Sequence, residues 1–285
     1  MRLITARLSA KRRSPFAGAV VVLLGLLLTG GLYAVISPAS ASTDTTDQAT
    51  VAKGRQLFLV GCASCHGKNG EGVVTDRGTQ YGPSLHGVGA AAVDFQVGTG
   101  RMPMARPGVQ AQRKQVVYTP EEIKALAAYV ASFGPGPSIP TSESYDPNAI
   151  PASDKNASVV KGGQLFLTNC TACHNFAASG GALPGGKYAP SLKGVTDKHI
   201  FEALLTGPQQ MPVFSNQVLK PDEKRDIIAY IHSIRDNPNY GGSSMGALGP
   251  VSEGLFAWLL GIGACVGFAV WIASHSTRSK KGAQS

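Results

Sequence analysis

The pattern Cys-x-x-Cys-His occurs twice in this chain of 285 residues, at an offset of 108 residues. Its six members, in chain order, are Cys62, Cys65, His66, Cys170, Cys173 and His174. One further cysteine is present, Cys265. Two thiols followed at once by an imidazole are typical of zinc sites, of redox-active thiol pairs and of covalent haem attachment. Whichever chemistry applies, it is expected at two sites in this protein.

Covalent haem is the chemistry that the surrounding residues favour. A structural zinc ion needs four ligands in a closed site, whereas each pattern offers three side chains. A thioredoxin-like pair requires neither the following histidine nor a distant methionine. In a c-type haem the two thiols add to the vinyl groups as thioethers, and the histidine becomes the fifth ligand of the iron. The sequence therefore predicts two c-type haems, with His66 and His174 on the iron atoms.

A methionine thioether is the expected sixth ligand, because a Met-Pro pair follows each pattern by about 40 residues. Met211 is the candidate in the second copy. The first copy offers two, since the Met-Pro pair favours Met102 and the spacing from the preceding Thr-Gly step favours Met104. We choose Met102, because the proline holds the backbone beside the ligand. The remaining histidines are expected on surfaces or in loops: His86, His199, His232 and His275.

The two patterns belong to an internal repeat. "KGRQLF" at 53–58 matches "KGGQLF" at 161–166, and "YGPSLHGV" at 81–88 matches "YAPSLKGV" at 188–195. Each copy ends in an acidic-to-apolar segment that predicts a helix. In the first copy Thr119 is the predicted N-cap of that helix, followed by a proline and a capping-box glutamate.

These matches predict a mainly α-helical protein with two tandem domains. We place domain 1 at 49–134 and domain 2 at 158–236. The segment 135–157 is rich in proline and is interpreted as a semi-rigid, extended linker. A second linker is expected at 237–254. Few apolar helices are available for each core, and two large haem macrocycles would supply the missing apolar volume.

Charge and hydropathy distinguish the two ends of the chain from its centre. The formal charge of +9 lies in the two ends, because residues 38–254 carry 18 basic and 17 acidic groups. This distribution argues against nucleic-acid binding, which needs a basic surface on the folded domains. Uncharged apolar runs at 16–36 and 255–273 predict transmembrane helices over 16–37 and 255–273.

Basic tails flank both runs, at 1–15 and 274–285. Because positive flanks stay cytoplasmic, both termini are expected inside the cell membrane and the two domains on its outer face. The alternative for the first run is a cleaved signal peptide, since "SPASAS" at 37–42 contains small residues. The run is longer than a usual signal segment, which favours a retained anchor.

Each repeat resembles a class I cytochrome c. The resemblance lies in Gly54 and Phe58 of the first helix, with Tyr129 on the closing helix. Their counterparts in the second copy are Gly162, Phe166 and Tyr230. The resemblance implies that the glycine and phenylalanine positions pack against the tyrosine of the closing helix. It also implies that the carbonyls of Pro83 and Pro190 accept a hydrogen bond from the ligand histidines.

The whole arrangement resembles the diheme cytochrome c subunit of the actinobacterial-type cytochrome bcc (bc1) complex, a menaquinol–cytochrome c reductase. That resemblance implies three partners in one membrane assembly: a cytochrome b subunit, a Rieske iron–sulfur subunit and a terminal cytochrome oxidase. Electrons would pass from the Rieske centre through both haems to the oxidase, without a soluble cytochrome c. The chain alone would be an electron carrier, and the redox reaction would belong to the complex.

Two other functions compete with this interpretation. The diheme subunit of a cbb3-type oxidase is usually anchored at its N-terminal side, so the apolar run at 255–273 speaks against it. A diheme peroxidase needs an open iron position for peroxide, and two methionine ligands argue against that. Cys265 lies within the second apolar run and needs no function beyond packing as a small apolar side chain.

Overall fold

A computed structural model of the chain describes residues 15–36, 48–236, 245 and 250–276. It divides into two units, Met1–Thr45 and Thr46–Ser285. The predicted basic tails and most of the 237–254 linker lie outside the described residues. The described part is mainly helical, as the sequence predicts, with only two short hairpins.

The first unit contains one described element, helix α1 (Pro15–Ile36). Its described side chains are exposed and apolar, with a continuous apolar segment at Gly18–Gly31. Neither an acidic first turn nor a basic last turn is present in this helix. It therefore has the composition of a membrane-associated helix.

The first repeat has a helical frame around one hairpin. Its elements are α2 (Gln48–Gly61), α3 (Ala63–His66), β1 (Val73–Val74), β2 (Gln80–Gly82), α4 (Gly89–Gly98) and α5 (Pro120–Ala131). Strands β1 and β2 are antiparallel. The predicted cap of α5 is confirmed: the backbone N–H of Glu122 donates to the Thr119 hydroxyl, and the Thr119 N–H donates to the Glu122 carboxylate.

Helices α2 and α5 cross at a glycine. Gly54 packs against the backbone carbonyl of Ala125 so closely that a Cβ would collide with it. One turn along, the rings of Phe58 and Tyr129 meet edge to face at 5.3 Å between centroids. Phe58 is only 1% exposed, at the centre of the core that these helices enclose. The packing of Gly54 and Phe58 against Tyr129 of the closing helix, which the cytochrome c resemblance implies, is therefore present.

Part of the predicted extended linker is folded. Residues Ser142–Tyr145 form the short helix α6, and Pro147–Ala149 form a 3₁₀ turn that Asp146 caps by accepting from the Asn148 N–H at 2.8 Å. Tyr145 packs against the core of the second repeat, and the Arg225 Nη1 donates to the Glu143 carbonyl. Proline content predicted an extended chain, but the packing of Tyr145 and the hydrogen bond from Arg225 to Glu143 hold the segment against the second repeat.

The second repeat reproduces the first. Its elements are α7 (Lys155–Asn169), α8 (Thr171–His174), β3 (Gly181–Leu183), β4 (Lys187–Ala189), α9 (Asp197–Thr206) and α10 (Pro221–Asp236). The hairpin β3–β4 is antiparallel. Where α7 crosses α10, Gly162 packs against the Asp226 carbonyl, and the rings of Phe166 and Tyr230 lie 5.4 Å apart.

The last described segment is helical throughout. It consists of α11 (Pro250–Ala257), a π-helical turn (Trp258–Ile262) and α12 (Gly263–Ser276). Among the described residues, Ser252–His275 is the one helical stretch long and apolar enough to cross a membrane, and none of its 24 residues is buried. Exposure of so much apolar surface indicates a lipid or protein environment around this helix.

Candidate functional site

Each Cys-x-x-Cys-His pattern forms one helical turn. In the first repeat the backbone N–H groups of Cys65 and His66 both donate to the Cys62 carbonyl, at 3.1 and 3.0 Å. In the second, Cys173 and His174 donate to the Cys170 carbonyl at 3.2 and 2.8 Å. Residues three and four apart on a helix lie on the same face. Both thiols and the imidazole are therefore presented together, as attachment of a flat macrocycle requires.

A backbone carbonyl fixes the orientation of each histidine ring. His66 Nδ1 lies 2.8 Å from the Pro83 O, and His174 Nδ1 lies 3.0 Å from the Pro190 O. Each Nδ1–H donates to its carbonyl, which leaves the lone pair of Nε2 free to bind a metal. Burial also lowers the pKa of His174, despite the opposing effect of the hydrogen bond to Pro190, so its ring is neutral at pH 7.

The first thiol of each pattern lies in a desolvated environment. Burial, reinforced by the neighbouring thiol, raises the pKa of Cys62 to about 11 and that of Cys170 to about 12. A redox-active Cys-x-x-Cys pair has the opposite property, because its attacking thiol has a lowered pKa. The surroundings of these cysteines therefore disfavour thiol–disulfide exchange and favour an apolar partner.

One cavity in the second repeat is lined both by these groups and by a methionine. Cys170, Cys173, His174 and Met211 all line it. The remaining second-repeat wall is largely apolar and includes Phe166, Leu192, Ile200, Leu204, Phe214 and Ile227. Two thiols, one oriented imidazole and one thioether around an apolar space fit a covalently bound haem with His–Met ligation.

A glycine shapes the loop that carries Met211. Gly207 ends helix α9 with φ 58°, a left-handed conformation that favours glycine. A Cβ at this position would also collide with Val213 and approach the Met211 carbonyl. The loop then closes through a hydrogen bond from the Met211 N–H to the Pro208 carbonyl at 3.1 Å. The tight turn after α9 thus brings the thioether to the cavity.

In the first repeat, Met102 occupies the environment that Met211 has in the second. Met102 packs against the core cluster that contains Phe58 and Leu126, and its N–H donates to the Gln96 carbonyl at 3.0 Å. Met211 packs against the corresponding cluster of the second repeat. The methyl group of Met104 lies instead beside the loop residue Gly108. Packing therefore favours Met102 as the sixth ligand.

The remaining histidines have partners of their own. His86 Nδ1 lies 3.1 Å from the Phe133 carbonyl, His232 Nε2 lies 2.6 Å from Asp197 Oδ1, and His275 Nδ1 lies 2.9 Å from the Trp271 carbonyl. His199 is the exception to the expectation of a surface or loop position. Its ring is half-buried on α9, with its centroid 6.1 Å from that of Phe95 on α4. His199 therefore belongs to a contact between the two repeats.

That contact is held by two reciprocal amide pairs. The Gln110 Nε2 donates to the Tyr188 carbonyl at 2.7 Å, while the Tyr188 N–H donates to the Gln110 Oε1 at 3.1 Å. From the second repeat, Gln209 Oε1 accepts from the Ala111 N–H at 2.9 Å, and Gln209 Nε2 donates to the Ala111 carbonyl at 3.0 Å. Each side-chain amide replaces a backbone partner, so residues 110–111 are fixed on the second repeat.

Buried charge completes the contact. Asp94 on α4 forms an ion pair with Lys198 on α9, and Glu202 beside them is fully buried. Burial, and then the carboxylate of Asp94, raise the pKa of Glu202 to about 9, so this side chain is protonated at neutral pH. Ligand atoms of Asp94, His199 and Glu202 lie within 4.8 Å of one another. The ammonium of Lys198 already neutralises Asp94, which argues against a further cation in this cluster.

Sequence reasoning missed these contact residues. Asp94 and Glu202 each interrupt an apolar helix, in "GAAAVDFQVG" and "DKHIFEALLT". A single acid among apolar residues is a signal that could have indicated a buried polar contact. Gln110 and Gln209 carry no such signal, because they lie in polar loops.

Comparison with known proteins gives consistent results for both repeats. A family model described as cytochrome c matches residues 51–134, and one described as cytochrome c oxidase, cbb3-type, subunit III matches residues 157–231. The "Cytochrome bc1 complex cytochrome c subunit" of Corynebacterium efficiens is 46% identical over 93% of this chain and 91% of its own length. Its counterpart from Corynebacterium diphtheriae is 44% identical, over 95% of this chain and 98% of its own. The "Cbb3-type cytochrome c oxidase subunit FixP" of Bradyrhizobium diazoefficiens is more distant, 26% identical over 73% of this chain and 70% of its own.

Proposed function

The chain belongs to the family of cytochrome bc1 complex cytochrome c subunits, and on this basis we propose how its residues carry electrons within such a complex. It is an electron-transfer cytochrome c subunit with two c-type haems. The observation that carries the proposal is the duplication of one arrangement. In each repeat a helical Cys-x-x-Cys-His turn, a proline carbonyl on the histidine and a packed methionine occur together.

The residues of each site have distinct roles in this proposal. Each cysteine forms one thioether, namely Cys62, Cys65, Cys170 and Cys173. His66 and His174 would bind the iron through Nε2, and Met102 and Met211 would each supply the second protein ligand. The haem supplies a one-electron iron couple. The thioether ligand favours the ferrous form and thus raises the reduction potential, while filling the position that dioxygen or peroxide would need.

The proline carbonyls orient the ligand histidines, and the apolar walls restrict the solvent at the site. Pro83 and Pro190 each accept the Nδ1–H of a ligand histidine, which orients the ring and increases the basicity of Nε2. The apolar lining excludes water from the site in the second repeat. An electron can then enter and leave with little rearrangement of solvent.

We place the two sites in series between fixed partners. Electrons would enter from the Rieske iron–sulfur subunit and leave to a terminal cytochrome oxidase, in one assembly with a cytochrome b subunit. The amide pairs between residues 110–111 and the second repeat support this role, because they hold the two repeats in contact. Tunnelling falls steeply with distance, and a tethered carrier replaces bulk concentration by a high effective concentration.

The proposed location is the cell membrane. Helix α1 and the Ser252–His275 stretch would be its two spans, with both basic tails cytoplasmic and both repeats outside. Fusion of a fluorescent protein that folds only in the cytoplasm to residue 285 tests this topology. The full-length fusion should fluoresce, and a fusion at residue 250, before the second span, should not. Fluorescence of both fusions would contradict it.

Electron flow in isolated membranes tests the function. We expect quinol-to-oxygen activity to survive thorough salt washing without added cytochrome c, and to be lost when the chain is deleted. Restoration of washed membranes by a soluble cytochrome c would instead indicate a subunit that feeds a mobile carrier. Purification of the chain with a Rieske protein, rather than with an oxidase alone, separates the bc1 assignment from the cbb3-type alternative.

A further inference from the structure

The cavity of the second repeat is closed partly by the first repeat. Phe95 on α4, Arg101 and residues 110–113 all line the space that Cys170, His174 and Met211 share. The hydrogen bonds of Gln110 with Tyr188 and of Gln209 with Ala111 hold this part of the first repeat against the second. The proposed haem site of the second repeat is therefore incomplete in the second repeat alone.

The first repeat contributes two positive charges to this cavity, Arg101 and Arg113. The Arg101 guanidinium is half-buried and lies 4.7 Å from the centre of the Phe95 ring. Arg113 lines the same space and is exposed. Two guanidinium groups that line the same apolar cavity are suited to bind an anionic group there.

Nothing in the described protein supplies that anion. Within the residues described, the ion pairs engage Lys161, Lys198, His232 and Arg235 as cations, and neither Arg101 nor Arg113 lies within ion-pair distance of a carboxylate. The nearby acids are already used, because Asp94 pairs with Lys198 and Glu202 holds its own proton at neutral pH.

We propose that Arg101 and Arg113 of the first repeat bind the two propionate groups of the haem in the second repeat. A haem carries two carboxylates on an otherwise apolar ring, which matches two guanidinium groups at the edge of an apolar cavity. Guanidinium groups bind carboxylates through paired N–H donors, with about twice the strength of neutral hydrogen bonds. The inference rests on the haem sites proposed above and extends them across the contact between repeats.

The binding has a measurable consequence for the second haem. Positive charge beside the propionates disfavours the extra charge of the ferric state and so raises the reduction potential. Loss of one guanidinium should therefore lower the potential of the second haem and leave that of the first unchanged. Arg113 is the better residue to change, since Arg101 directly precedes Met102, the proposed ligand of the first haem.

Spectroelectrochemical titration of the detergent-purified full chain tests the proposal. We expect Arg113→Gln to lower one of the two midpoint potentials and to shift the propionate bending band in resonance Raman spectra. The affected component is assigned by comparison with the double variant Cys170→Ala/Cys173→Ala, which keeps only the first haem. Arg113→Lys should restore most of the potential, because it keeps the charge.

Arg106→Gln is the matched control, since Arg106 is an exposed arginine of the same segment outside the cavity lining. A shift of the second haem in Arg113→Gln but not in Arg106→Gln supports the proposal. Equal behaviour of the two variants, or a shift confined to the first haem, overturns it. A pyridine haemochrome assay keeps the two proposals separate: without two covalent haems in the unaltered chain the haem sites fail, whereas with them only the propionate assignment is at stake.

Discussion

Gly162 packs directly against the backbone carbonyl of Asp226, where the first and last helices of the second repeat cross. Gly54 and the carbonyl of Ala125 repeat this relationship in the first repeat. The absence of a Cβ allows the two backbones to approach, and the approach brings Phe166 against Tyr230 behind the haem cavity. The helix crossing and the closure of the core therefore depend on one small residue in each repeat.

Gly162→Ala should destabilise the second repeat by roughly 1–3 kcal/mol or more, because the new methyl group overpacks the crossing. We expect a lower melting temperature of the purified protein, measured by circular dichroism, and weaker absorbance of the second haem. Gly108→Ala is the control, since a Cβ there makes only ordinary contact with Met104. An unchanged melting temperature of Gly162→Ala would contradict this prediction, because the helices would then separate at little cost in free energy.

Replacement of Cys62 and Cys65 by alanine should halve the covalent haem content. The thioether bonds form only at these thiols in the first repeat, so haem should remain in the second repeat alone. The pyridine haemochrome of the denatured protein gives the count directly. Cys265→Ala serves as control and should retain two haems, because this cysteine lies in helix α12, apart from both repeats. Loss of haem in the control variant would contradict the assignment.

Met102→Leu should abolish the far-red absorption band of thioether-ligated ferric iron in the first haem. The total band should fall by about half, because the second haem retains Met211. Met104→Leu is the matched variant and should leave the band intact, since its methyl group lies beside Gly108. The reverse result, with the band halved only in Met104→Leu, would assign the ligand to Met104.

Glu202→Gln should make the protein more stable at alkaline pH. Folding raises the pKa of Glu202 from 4.5 to about 9, so the folded state holds a proton that the unfolded state releases above pH 4.5. Each pH unit between these two values therefore costs about 1.4 kcal/mol of stability in the unaltered protein. A neutral glutamine removes that cost and can still donate a hydrogen bond to Asp94.

Melting temperatures between pH 5 and pH 8 measure this effect. The Glu202→Gln variant should melt above the unaltered protein at pH 8, with the difference shrinking toward pH 5. Glu143→Gln, at an exposed position, should show no such trend. A difference that is constant with pH, or largest at pH 5, would contradict proton uptake by Glu202 on folding.

The features that could be predicted from the sequence depend on residues that lie close together in the chain. The Cys-x-x-Cys-His turns, the cap of Thr119 on Glu122 and the glycine–aromatic faces of the first helices all follow from residues a few positions apart. Repetition of the same pattern then predicted two similar sites, and the family of the chain agrees with it. The choice between Met102 and Met104 lay at the limit of this reasoning, because two equally local arguments gave different residues.

By itself, then, the sequence determined the chemistry of each site, since thiols and imidazole on one helical turn need no distant partner. Only the tertiary structure decided how the two repeats meet. It folded residues 142–149 onto the second repeat, buried Glu202 beside Asp94, and brought Arg101 and Arg113 to a cavity built around Cys170. The physical reason is that such contacts depend on the relative orientation of two folded bodies. Single residues roughly a hundred positions apart supply them, and neither periodicity nor repetition marks those residues in the chain.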